Sequence, residues 1–281
     1  MILKPLFISS AQYHCLAGWS STQIKAIVKH SIDKALVPTK DTPSLSFGRA
    51  MHDYFDSPKL FESTYAVFDD TKIVESILAR RPDITAPLMT KDYKVARQSF
   101  EAENEDKHIL SKQEYETIVK MHESAYSLPF IKELLPTGEL ISEGTFLDTY
   151  TTDHSEFTIR ARPDLIVQNG DDSWIIDWKS CKDASAKSFR SDFYSYRYDV
   201  QAVFYSLVTG IDPRKFAFVA IEKEYPYASA VYTLSDQTIE LALDDMNEAL
   251  DRIGKYEFLL HSGMQEEVSG LPNSTGLPVC I

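Results

Sequence analysis

The spacing of apolar and polar positions changes character along the chain. Over residues 20–35 (SSTQIKAIVKHSIDKA) a serine start and the apolar spacing predict a short helix. In SFGRAMHDYFD (46–56), Phe47, Met51 and Phe55 recur every four residues, which predicts a second helix ended by Ser57-Pro58. From 72 to 135 the pattern stays mainly helical, and Ser111 with Glu114 forms a capping box ahead of Tyr115, Ile118 and Met121. Near Glu139 the texture turns to β-branched and aromatic residues. GELISEGTFLDTY, SEFTIRARPDLIVQ and DSWIIDWKS are predicted as three strands with turns at TTDHS and QNGDDS, and Asn169-Gly170 marks a tight hairpin. Residues 197–209 return to helix, with Gly210 placed to end it. Two more strands follow, KFAFVAIEKE and ASAVYTLS. A long helix then sets Ile239, Leu243, Met246, Leu250 and Ile253 alternately four and three apart.

This order predicts an α/β fold, a central mixed β-sheet flanked by helices with a helical N-terminal lobe. A single domain is expected over 1–265, mainly helical to 135 and carrying the sheet from 136, before a Gly/Pro/Ser-rich flexible tail over 266–281. The chain has 281 residues, and its 43% hydrophobic and 25% charged shares suit a globular core. No apolar run approaches the roughly 18 residues that span a bilayer. The N-terminus lacks a credible signal h-region, so a soluble cytoplasmic protein without a membrane partner is expected. Cys15, Cys181 and Cys280 are too few and too scattered for a disulfide framework or a four-cysteine cluster.

A net charge of −13 argues against nonspecific coating of nucleic acid, which needs a basic footprint. One window departs from it. Between Trp178 and Tyr198, Lys179, Lys182, Lys187, Arg190 and Arg197 face only Asp183 and Asp192, with Phe189, Phe193, Tyr194, Tyr196 and Tyr198 interleaved. Such a mixture holds phosphates and stacks bases, although an exposed amphipathic loop has the same composition.

The candidate chemistry lies in RARPDLIVQNGDDSWIIDWKS. Asp164, Asp177 and Lys179 interrupt apolar runs, where an unpaired charge is expensive. Residues two apart on a strand share a face, so Asp177 and Lys179 project together while Trp178 points away. Two carboxylates and an ammonium at one point suit a Mg²⁺ site for phosphodiester hydrolysis. A structural ion pair at a sheet edge is the simpler alternative. The order of motifs favours the metal site.

Pro163-Asp164, a hairpin, then Asp177-Trp178-Lys179 resembles the PD-(D/E)XK nuclease signature and its restriction-endonuclease-like core. Gln201 and Tyr205 in YDVQAVFY resemble the Q-x-x-x-Y helix motif of the RecB-like branch, and SFGRAMHDYFDSP resembles its Gly-x-Ala-x-His segment. In combination, over roughly residues 5–260, the chain is most similar to RecE-like (exonuclease VIII) phage recombination nucleases.

That resemblance implies Asp164, Asp177 and Lys179 as the catalytic core. It implies His52, Asp164, Asp177, Glu143 and the Trp178 carbonyl as ligands for two Mg²⁺ ions, with Mn²⁺ able to substitute. Gln201 and Tyr205 would contact DNA or position the lysine, and Tyr198, Lys182, Arg190 and Arg162 complete the expected DNA contacts. The implied activity is 5′ to 3′ degradation of one strand of linear double-stranded DNA by a trimeric or tetrameric ring, leaving a 3′ overhang for a single-strand annealing protein. A nonprocessive repair or restriction-type endonuclease and a non-catalytic DNA-end binding module are the alternatives. Asp stands at 177 where many relatives have Glu, and neither the iron–sulfur cysteines nor a Walker A sequence is present.

Overall fold

The computed structural model describes residues 4–262. The predicted tail therefore lies outside the described residues.

The first half of the chain runs through α1 (Ser10–Cys15), β1 (Trp19–Ser20), α2 (Ser21–Lys29), α3 (Ile32–Leu36), α4 (Pro43–Asp56) and α5 (Pro58–Thr64). Next come β2 (Tyr65–Phe68), α6 (Thr71–Arg80), α7 (Lys91–Glu103), β3 (His108–Ser111), α8 (Lys112–Ser127) and α9 (Pro129–Leu134). The second half holds β4 (Glu139–Ser142), β5 (Phe146–Thr151), β6 (Glu156–Ala161), β7 (Leu165–Gln168) and β8 (Trp174–Cys181). It closes with α10 (Ala186–Ser195), α11 (Tyr198–Thr209), β9 (Phe216–Glu222), β10 (Ser229–Thr233) and α12 (Asp236–His261).

The central sheet is mixed, in the order β10-β9-β8-β7-β4, with β8 and β9 parallel and the other pairs antiparallel. Its middle strands are apolar on both faces, as strands covered on both sides must be. Ile176, Trp178, Ala217 and Val219 pack towards α4, α8 and α9, while Ile175, Phe216, Phe218 and Ala220 pack towards α2, α11 and α12. Asp177 and Lys179 alternate with Trp178 and so project on the α11 side. Helix α11 is buried on almost every side, which explains why apolar residues occur all round it, between the buried polar Asp199, Gln201, Ser206 and Thr209.

Five sequence expectations change here. The helix predicted over 20–35 is two, α2 and α3, and the strand predicted over GELISEGTFLDTY is two, β4 in the central sheet and β5 beside β6. The predicted strand 155–168 is two strands in different sheets. Pro163 has no N–H to give a ladder, so β6 ends at Ala161 and joins β5 and β1, while β7 starts at Leu165 in the central sheet. The tight Asn169-Gly170 hairpin is instead a longer loop with a 3₁₀ turn over Gly170–Asp172. The helical stretch 72–135 includes a strand, β3, which pairs in parallel with β2. The Ser111–Glu114 capping box forms as expected, and Gly210 ends α11 with φ 76°.

The N-terminal segment is also tied closely to the sheet half: β1 pairs with β6, and Ile24 and Ile27 of α2 join the same core as Phe204 and Leu250. Among the described residues no helix is long and apolar enough to cross a membrane.

Candidate active site

The β7–β8 ladder pairs Leu165 with Ile176. Extending that register by one residue sets Asp164 opposite Asp177. Asp164 Oδ2 accepts a hydrogen bond from the Trp178 backbone N–H (2.8 Å) and lies 3.2 Å from His52 Nδ1. His52 comes from α4, whose Ala50, Met51 and Phe55 are buried and fix the helix against the sheet. Glu143 comes from the β4–β5 junction, where its backbone takes a left-handed φ of 50° and its N–H donates to the Asp164 carbonyl (3.1 Å). A non-glycine residue in that region costs energy, and such strain concentrates at functional sites. Ligand atoms of His52, Glu143 and Asp164 all lie within 4.8 Å of one another.

Asp177 is not part of that trio. Its side chain is 1% exposed and makes an ion pair with Lys179, while its Oδ1 accepts from Gln201 Nε2 (2.5 Å). The structure therefore sorts the predicted residues into two adjoining sets, one of His52, Glu143 and Asp164 and one of Asp177, Lys179 and Gln201. Trp178 bridges them through its backbone, and its ring packs against Phe55 and stacks on Tyr126.

Within the first set each group shifts the protonation of the others. Burial, then the Asp164 charge, push Glu143 up to about 7 against the pull of Arg162. Burial opposes charge on His52, but the Asp164 carboxylate outweighs it and raises the imidazole to about 9. Burial likewise works against ionised Asp164, yet His52, Lys179 and the Trp178 N–H hold it below the usual carboxylate range. Burial raises Asp177 despite Lys179, and Asp177 and Asp164 raise Lys179 despite burial.

His52 Nδ1 and Asp177 Oδ2 are buried with no geometrically sound hydrogen bond, although each lies close to a charged neighbour. One imidazole and clustered carboxylates form a donor set suited to Mg²⁺ or Mn²⁺.

A cleft of about 950 Å³ opens over the trio, with His52, Glu143, Asp164, Arg160, Arg162 and Tyr205 in its lining. Arg162 lies beside Glu143 (Nε–Oε2 2.6 Å) inside this cleft. Tyr205 is buried, and burial holds its hydroxyl well above the ordinary value. The Tyr198 ring stacks on Phe218 with Lys179 4.9 Å and Lys25 5.6 Å from its centroid. Lys182 and Arg190 are exposed, and neither has an ion pair among the described residues. Arg197, counted in the basic window, is instead committed to Asp199 and Asp245.

Two site residues escaped the sequence reading. Arg160 lies between fully buried Ile159 and Ala161 and stacks on Tyr13, so the criterion that singled out Asp164 would have found it. Lys25, which hydrogen-bonds Gln201, sits on a helix with many polar residues and gave no such signal.

A family described as a PDDEXK-like domain of unknown function (DUF3799) matches residues 9–259. The chain belongs to this family. Its fold is similar to the crystal structure of a candidate exonuclease from Eubacterium rectale, with a TM-score of 0.51 at 13% identity, over 98% of this chain and 97% of that one. A phage related exonuclease from Haemophilus somnus 129PT matches at 15% identity and a TM-score of 0.34, covering 68% of this chain and 93% of that one. No curated protein matches the chain. Family and site together support a PDDEXK-like nuclease and leave the RecE-like branch as a proposal.

Proposed function

We propose that this protein is a Mg²⁺-dependent exonuclease that degrades one strand of linear double-stranded DNA from 5′ to 3′, with Mn²⁺ able to replace Mg²⁺. The observation that carries this reading is the convergence of His52, Glu143 and Asp164 beside the Asp177–Lys179 pair. His52, Glu143 and Asp164 would hold one divalent ion, and Asp177 with the Trp178 carbonyl would serve a second. Such ions ease deprotonation of water and offset charge on the phosphate.

The chain's own groups divide the remaining work. Lys179 is kept charged by two carboxylates and is placed to orient the attacking water or offset developing negative charge. Gln201 and Tyr198 hold the Asp177–Lys179 pair in place. Lys182, Arg190 and Arg162 would contact phosphates. The sequence resemblance supports a trimeric or tetrameric ring and an annealing protein that receives the 3′ strand.

The test is an end-labelled linear duplex and a covalently closed circle, each incubated with Mg²⁺. Wild type is expected to release mononucleotides from the linear duplex and to leave the circle intact. Asp177→Ala is expected to lose activity by roughly a thousandfold or more. Cleavage of circles would move the assignment to an endonuclease, and full activity of the variant would remove the mechanism.

A further inference from the structure

Helix α2 places one charged side chain where nothing in the nuclease signature calls for it. Lys25 Nζ donates to Gln201 Oε1 (2.8 Å), and Gln201 Nε2 donates to Asp177 Oδ1 (2.5 Å). The helix that carries Lys25 is held firmly. Its neighbours Ile24 and Ile27 are fully buried in the core, and Lys29, one turn on, donates to the Ser195 carbonyl of α10 (2.7 Å).

With Lys25 charged and Asp177 ionised, the order of donors and acceptors in this chain is fixed. A lysine ammonium only donates, and an ionised carboxylate only accepts. An amide between them satisfies both in one orientation alone, with its oxygen towards Lys25 and its NH₂ towards Asp177. Turned over, Gln201 would set donor against donor at one end and oxygen against oxygen at the other. Without Lys25 that orientation is held at the Asp177 end alone.

Keeping a lysine here is costly. Burial, then the nearby charge of Lys179, draw Lys25 down to about 7, against the pull of Asp177 and Asp199. Lysines tolerated against such opposition are usually retained for what they do.

We propose that Lys25 is a positioning residue: by fixing the Gln201 amide it grips Asp177 on the oxygen that Lys179 leaves free, and so sets the Asp177–Lys179 pair for catalysis. This rests on the nuclease reading of the site. Lys25 acts through Gln201, so its loss lowers turnover without changing how tightly duplex is held.

The experiment compares wild type, Lys25→Met, Lys25→Arg, Gln201→Leu and the Lys25→Met/Gln201→Leu double variant on linear duplex with Mg²⁺ or Mn²⁺. Lys25→Met is expected to reduce kcat roughly ten- to a hundredfold, the worth of one charge-assisted hydrogen bond, with KM for duplex unchanged within about twofold. Lys25→Arg, which restores a cationic donor, should recover most of the loss. The double variant should be no slower than Gln201→Leu alone.

Multiplying losses in the double variant, a rise in KM with kcat intact, or an undiminished kcat would each overturn the proposal. An inactive wild type would instead overturn the nuclease reading. A readout free of activity then decides on Lys25. The Gln201 side-chain amide protons should exchange slowly with solvent in wild type and Lys25→Arg and much faster in Lys25→Met, and equal exchange in all three would overturn it.

Discussion

A carboxylate removed from water must find a proton, a cation or several donors, and Glu143 has little besides Arg162. Glu143 is raised from 4.5 to about 7 and His52 from 6.5 to about 9. Both groups hold protons more tightly folded than unfolded. The stability from Glu143 is therefore complete below about 4.5 and lost as pH rises through 7; that from His52 is complete below about 6.5 and lost on passing 9. The upward shifts of Asp177 and Lys179 act with the same sign. An ion occupying the trio displaces these protons, so protons and metal compete. The increase in unfolding temperature produced by Mn²⁺ is expected to be larger near about pH 8.5 than near about pH 6, and His52→Gln should flatten that difference. Thermal scans with and without the ion measure both, and an equal or inverted increase would remove His52 and Glu143 as ligands. Cys181 offers a simpler check. Burial raises its thiol to about 11, so little thiolate forms at neutral pH. Exposed Cys15 should be alkylated in the native protein while Cys181 reacts only on unfolding, as peptide mass mapping would show.

Close packing between elements puts a different demand on sequence. In α12, a Cβ on Gly254 would run into the Thr152 side chain at the β5–β6 turn. Thr152 cannot swing away cheaply, because its hydroxyl bonds the Ser155 carbonyl and accepts from the His154 and Ser155 N–H groups. Gly254→Ala gains about 1 kcal/mol of helix propensity but forces overpacking that costs about 1–3 kcal/mol. A net loss of about 1 kcal/mol is expected, read as a lower urea midpoint, and a stabilised variant would show that the turn yields. The same contrast explains what the sequence could disclose. Long periodic elements such as α11 and α12, and the apolar strands β8 and β9, announce themselves because their burial is continuous. The break at Pro163 was visible as a residue without an N–H, yet the apolar residues on either side disguised two strands as one. Sharing between elements was legible only through the family resemblance, which named His52, Glu143 and Asp164 together. The residue pattern alone did not show it, because their meeting depends on a left-handed backbone at the β4–β5 junction, and nothing pointed to Lys25, which reaches Gln201 from 176 positions away.

For the molecule as a whole, an acidic protein with a proposed DNA substrate must confine its positive charge. Most cations near the site are already committed: Arg162 to Glu143, Arg197 to Asp199 and Asp245, and Lys179 to Asp177. Lys182, Lys187 and Arg190, by contrast, are exposed around the end of β8 and along α10, with no ion pair among the described residues, and exposed Tyr194 and Tyr196 lie close by in sequence. If these three carry phosphate contacts, each releases counterions, and the slope of log affinity against log salt owes about 0.9 to each, or about 2.7 in total. Replacing all three by Gln should flatten the slope by about that amount for duplex binding measured in Ca²⁺, where turnover is suppressed. The unfolding temperature should hardly change, because the side chains are exposed. An unchanged slope in the triple variant would mean that DNA enters by another face, past Arg160 and Arg162, and that the positive window in the sequence is a solvated helix surface.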